Sequence, residues 1–214
     1  MPDIRNAGSQ IAFKGLTNVE SIADQQIGPT CGFEAIENII QLFQGVHNNF
    51  TERELLPRAR NYGLAIPVKE GGFCLDINGY VQILADYGIT GRWYQFRQNE
   101  VVIPALRANR GVLLVGYAHY LNPQIYTPGG LHAFILTNFY TDESGTSLIG
   151  YTGIDSNFPG QQMLWPYQNV ESSAAYAAEI IRNPPVLITD YASNWPATAA
   201  FYRLLRTGQL VPVN

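Results

Sequence analysis

Cys31 follows Pro29-Thr30, is followed directly by Gly32, and stands at the head of a stretch with helical apolar spacing. With Thr30 as cap, the cysteine takes the first helical position. Amide N–H groups and the positive end of the helix dipole favour a thiolate there. A thiolate in that setting is a nucleophile for acyl transfer. Gln25 lies six residues upstream (31 − 25) and can aim its side-chain NH₂ beside the thiol. Together with the Cys31 backbone N–H it would form an oxyanion hole, and Gln26, five residues upstream, is the alternative. Gly32 would let a substrate carbonyl approach the backbone closely.

A nucleophile of this kind needs a base, and His132 is the candidate. It opens the run His132-Ala-Phe-Ile-Leu136 directly after the Gly129-Gly130 pair, 101 residues beyond Cys31 (132 − 31). Imidazole beside mobile backbone at a strand edge can face a cleft and serve as general base and acid. Asp155 lies 23 residues further on (155 − 132), where the run 147–154 gives way to a turn. If 131–140 and 147–154 pair as a hairpin across 141–146, residue 132 falls opposite about 155. Asp155 would then hold the imidazole in the useful tautomer, and Asn157 could do so through its amide oxygen. Each residue alone has an ordinary explanation: buried thiols fill space, and Asp-Ser-Asn before Phe-Pro suits a turn. Their conjunction is much rarer.

The surrounding elements must position these groups. Phe33, Ile36, Ile39, Ile40 and Phe43 recur at helical spacing, with Glu34, Glu37, Asn38 and Gln41 on the other face and Gly45 as a stop. Thr51-Glu-Arg-Glu54 has capping-box spacing and opens a second helix that Pro57 should kink or end. A third helix is expected from near Asp76 to Gly88, and a fourth over 99–108, interrupted by Pro104. The runs 111–117, 131–140 and 147–154 read as strands. A helix over 172–182, a short apolar run at 185–189 and a last helix inside 196–206 complete the chain. Helices first and strands afterwards predict an α+β class, with the helical portion packed on an antiparallel sheet.

Composition sets outer bounds. The 214 residues are 46 % hydrophobic and 14 % charged, enough apolar material for one domain with its own core. A formal charge of −4 leaves no basic excess to neutralise phosphates, which argues against nucleic acid as a partner. No apolar run approaches the roughly 20 residues of a membrane span. The first sixteen residues lack the apolar stretch of a secretory leader, so a soluble, cytoplasmic protein is expected. Two cysteines without a CxxC pair and three histidines without HxxxH spacing argue against a structural zinc, and no cofactor is expected. Cys74, beside Gly71-Gly72-Phe73, reads as structural. The aromatics of Trp93-Tyr94-Gln-Phe96 and of the segment from Tyr117 to Tyr126 read as core before pocket, and His119 is a control histidine.

The order Gln25, Cys31-Gly32, His132 in an HxFxL strand, then Asp155 at the end of the next strand resembles the papain-like cysteine peptidases. Within them it is most similar to the bacterial bacteriocin-processing, double-glycine type of peptidase domain. The resemblance covers roughly 22–165; Asp155 is followed by Ser156 where that group has proline, and 166–214 would be an extension of the single domain 1–214. It implies a papain-like fold and a thiol peptidase acting on peptide or protein substrates through Cys31, His132, Asp155 and Gln25. The same site could serve acyl transfer, deamidation or peptide cyclisation, or survive as an inactive binding module.

Overall fold

The computed structural model describes residues 10–16, 19–22, 29–45, 50–69, 71–141, 147–205 and 207–212. Nine strands form one sheet: β1 (Gln10–Leu16), β4 (Gly91–Tyr94), β5 (Arg110–Tyr117), β6 (Leu131–Thr141), β7 (Leu148–Ile154), β8 (Gln162–Pro166), β9 (Val186–Ala192), β10 (Ala197–Leu204) and β11 (Gln209–Pro212). Their order is β1-β10-β11-β8-β7-β6-β5-β9-β4, and every neighbouring pair runs antiparallel. A separate small ribbon joins β2 (Ala65–Pro67) to β3 (Phe73–Leu75). The class is α+β.

Helices cover both faces of the sheet. Strand residues Leu113, Val115, Ala133, Ile135 and Leu187 share one apolar cluster with α1 (Cys31–Gln44) and α3 (Ile77–Asp86). Their alternate neighbours Val112, Leu114, Phe134, Leu136 and Val186 share the other with α4 (Ile103–Arg107) and α6 (Tyr167–Ile181). This is the period-2 alternation of a strand buried on both faces. The remaining helices are short: α2 (Leu56–Asn61) and α5 (Ala118–Leu121). Among the described residues no helix is long and apolar enough to cross a membrane.

Several expectations change. The segment expected to hold a last helix inside 196–206 is β10, paired with β1 from Gln10–Arg203 to Leu16–Ala197. Alanine and leucine favour a helix there, but pairing with β1 on one side and β11 on the other overrides local propensity. Strands also precede the helices, since β1 to β4 all lie in the first half of the chain. Pro57 and Pro104 interrupt a helical stretch without ending it, as expected: each falls where a π-helical turn (Thr51–Leu55, Gln98–Val102) gives way to the first turn of an α-helix, the place where a missing N–H is best tolerated. The polar face of α1 is not solvated. Glu34, Glu37, Asn38 and Gln41 are buried with the apolar face, because α1 lies between the sheet and a cover that includes α3 and β3. Gln41 Nε2 donates to Glu37 Oε1 at 2.9 Å within that buried row.

The hairpin of β6 and β7 forms as expected, with a shifted register. Ile135 pairs with Ile154 and Leu136 with Gly153, then the ladder slips by one residue before Asn138–Thr152. Continuing the register places Asp155 opposite 134 instead of 132. Asp155 and His132 are therefore diagonal neighbours, a distance that long side chains can bridge.

Candidate active site

Cys31 is the first residue of α1, as its spacing predicts. The carbonyl of Thr30 accepts from the N–H groups of Phe33 (2.8 Å) and Glu34 (3.0 Å), which starts the helix. The Thr30 hydroxyl does not cap; it lies 3.5 Å from Glu34 Oε1 instead. Gly32 has a packing reason beside the expected one. A Cβ there would collide with the Tyr80 hydroxyl and lie 3.2 Å from Leu75 Cβ, so only glycine lets α3 and β3 close on the start of α1.

His132, at the start of β6, brings its imidazole to this helix end beside the Cys31 thiol, and the backbone of Ala133 lies against the same sulfur. On its other side, His132 Nε2 stands 2.7 Å from Asp155 Oδ1. Asp155 is fully buried. Its Oδ1 also accepts the Asn157 backbone N–H at 2.8 Å, and its Oδ2 accepts the Tyr126 hydroxyl at 2.6 Å. The Asn157 amide is 3.3 Å from the same Nε2, so of the two candidates for the third position Asp155 makes the closer contact.

Charge follows this geometry. Burial alone would raise the Cys31 pKa; the positive imidazole, its hydrogen bond and the Ala133 backbone outweigh burial, and the thiol is held below its ordinary value. Burial would likewise lower His132, but the Asp155 carboxylate and the Cys31 thiolate hold it well above the usual imidazole value. For Asp155, burial is overcome by His132, Tyr126 and the Asn157 N–H, and its pKa is lowered. Each charged form thus stabilises the next. The set can hold a thiolate–imidazolium pair.

Gln25 and Gln26 lie outside the described residues. Cys74 is part-exposed in β3; burial and the neighbouring Cys31 charge push its thiol up, so it is the less reactive of the two. Trp93 packs edge-on against Tyr80 at 5.4 Å, and Phe96 against Tyr151 at 6.1 Å, so these two serve the core, while Tyr94 also lines a cavity of about 250 Å³. A cavity of about 440 Å³ opens beside the imidazole, lined by Tyr126, Gly129, Gly130, His132, Asn157 and Phe158 among others. Tyr126 and its contact with Asp155 had no signal in the sequence beyond membership of an aromatic-rich segment, because a phenol partner 29 positions away leaves no spacing pattern. Among the described residues no cluster of three or more His, Cys, Asp or Glu is placed to hold a metal ion. Neither a protein-family model nor a curated protein matches this chain.

Proposed function

We propose that the chain is a papain-like thiol hydrolase that cleaves peptide or related amide bonds through Cys31, His132 and Asp155. The observation that carries this reading is the continuous link from a helix-terminal thiol, through an imidazole, to a buried carboxylate 2.7 Å from the far ring nitrogen. Structural cysteines have no need of such an arrangement, whereas acyl transfer needs each part of it.

Nε2–H donates to Asp155, which leaves Nδ1 to take the Cys31 proton. The thiolate attacks the substrate carbonyl carbon, a C–S bond forms, and the carbonyl π electrons move to oxygen. The Cys31 backbone N–H at the helix start and, by its sequence offset, the Gln25 amide stabilise that oxyanion. Nδ1–H then protonates the leaving nitrogen, the C–N bond breaks, and an acyl thioester remains. Water gives its proton to Nδ1 and attacks the thioester, and the thiolate leaves as the acid is released. Cys31 is only partly buried, and through that open side the amine would leave and the water would enter. An amine arriving by the same route would give transfer or cyclisation, and a side-chain amide as donor would give deamidation.

Incubating the protein with an unfolded protein mixture and reading products by mass spectrometry tests the reading. Two fragments per event, absent in Cys31→Ala and His132→Ala, are expected. A gain of about 1 Da without cleavage would assign deamidation, and no product from any amide substrate would overturn the reading.

A further inference from the structure

We propose that Tyr126 is a positioning residue of this site, its hydroxyl fixing the Asp155 carboxylate so that His132 stays aligned on Cys31. The inference rests on the acyl-transfer reading above and adds a fourth side chain to it.

Asp155 is fully buried, so every oxygen lone pair that lacks a donor is costly. One oxygen is held by His132 and the Asn157 N–H; the other faces Tyr126 at 2.6 Å, the short distance of a charge-assisted O–H···O⁻ bond. The two oxygens are gripped from different parts of the chain, the turn after β7 and the connection between α5 and β6. Rotation of the carboxylate would break both grips. The carboxylate orientation in turn sets the imidazole plane.

Tyr126 is itself held in place. Its N–H donates to the Asn122 carbonyl at 3.0 Å, and its carbonyl accepts from His119 Nδ1 at 2.7 Å. Its ring packs edge-on against Phe158 at 5.5 Å, and the residue is buried. Burial and the adjacent carboxylate hold the phenol proton on, so the hydroxyl stays a donor throughout. The groups facing Asp155 are His132, Tyr126 and the Asn157 amide, with Cys31 beyond the imidazole; those facing Tyr126 are His119 and the Trp165 indole.

Tyr126→Phe removes the hydroxyl and keeps the ring on Phe158. Without it the Asp155 carboxylate is free to turn, His132 is held less firmly in line with Cys31, and the Cys31 thiolate loses part of its counter-charge. The experiment is the rate of Cys31 alkylation by iodoacetamide against pH, in a Cys74→Ala background. It compares the parent, Tyr126→Phe, Asp155→Asn and the double variant. In Tyr126→Phe the onset of reactivity should move to higher pH by about one unit, slowing labelling about ten-fold on the acid side. In the Asp155→Asn background the same substitution should change the rate by less than about two-fold. A Tyr126→Phe profile that overlays the parent overturns the proposal, as does a slower rate with an unmoved onset, or effects that multiply independently. Should Tyr126→Phe not fold by circular dichroism, His119→Ala releases the Tyr126 carbonyl and, away from Asp155, an edge contact with Tyr117. It should move the onset the same way by less, and no movement overturns the proposal. The parent curve alone reports on the acyl-transfer reading: a parent without low-pH reactivity at Cys31 defeats both, whereas a reactive parent with an indifferent Tyr126 defeats only this one.

Discussion

His132 turns its Nε2 to Asp155 at 2.7 Å, and that contact decides which ring nitrogen is left for Cys31. With Nε2–H committed to a buried carboxylate, Nδ1 is the proton acceptor and the imidazole cannot flip without abandoning a charge-assisted bond. On the proposed reading the thiol, imidazole and carboxylate act as a unit.

Removing members of that unit should have graded effects. Cys31→Ala and His132→Ala should each lower kcat/KM by about 10³–10⁶, while Asp155→Ala, which keeps nucleophile and base but frees the ring, should lose about 10²–10⁴. Cys74→Ala should stay near the parent. Kinetics on one peptide substrate, with circular dichroism to establish folding, check the order.

The pH profile should be bell-shaped. Activity rises as Cys31 gives up its proton, at a value held below the free-thiol value of about 8.5. It falls as His132 loses its proton, at a value held well above the usual imidazole range of about 6.5. The active plateau lies between the two, and kcat/KM measured from pH 4 to 10 reads it directly.

Stability should carry the Asp155 signature. Its folded pKa is lowered, so its contribution is present above the unfolded value of about 3.9 and is lost as pH falls through the lower folded value. Urea unfolding of the parent should weaken below about pH 4, and Asp155→Asn should show a flatter acid dependence.

Gly32→Ala should destabilise although alanine is the better helix former by about 1 kcal/mol. The added Cβ meets the Tyr80 hydroxyl, an overpacking cost of about 1–3 kcal/mol. Adding Tyr80→Phe should recover part of the melting temperature, since it removes the atom in closest conflict.

Gly153→Ala tests the sheet beneath the site. A Cβ on β7 would strike the Ile135 carbonyl and the Trp165 ring, neither of which can move freely between packed strands. A loss of about 1–3 kcal/mol or more is expected in chemical denaturation.

What was legible in the sequence followed from local period. The helix after Thr30 and the strands 111–117, 131–140 and 147–154 announce themselves because burial on one stripe or on both faces imposes a spacing. Hairpin arithmetic brought Asp155 near His132 but missed the slip in the ladder between Leu136 and Asn138; the pair meets on the diagonal because both side chains reach. The burial of Glu34, Glu37 and Gln41 was not legible, since it depends on what is laid over α1 and not on α1 itself. Nor was β10, whose strand state comes from pairing with β1 at the far end of the chain on one side and with β11 on the other. Tyr126 escaped for the same reason: its partner is chosen by tertiary packing.

The most direct test is the pH dependence of Cys31 alkylation, located by mass spectrometry, in Cys74→Ala with and without His132→Ala. The thiolate–imidazolium pair predicts fast labelling well below pH 8 that collapses when His132 is removed. Slow labelling that rises only near the free-thiol value of about 8.5, indifferent to His132, would contradict it.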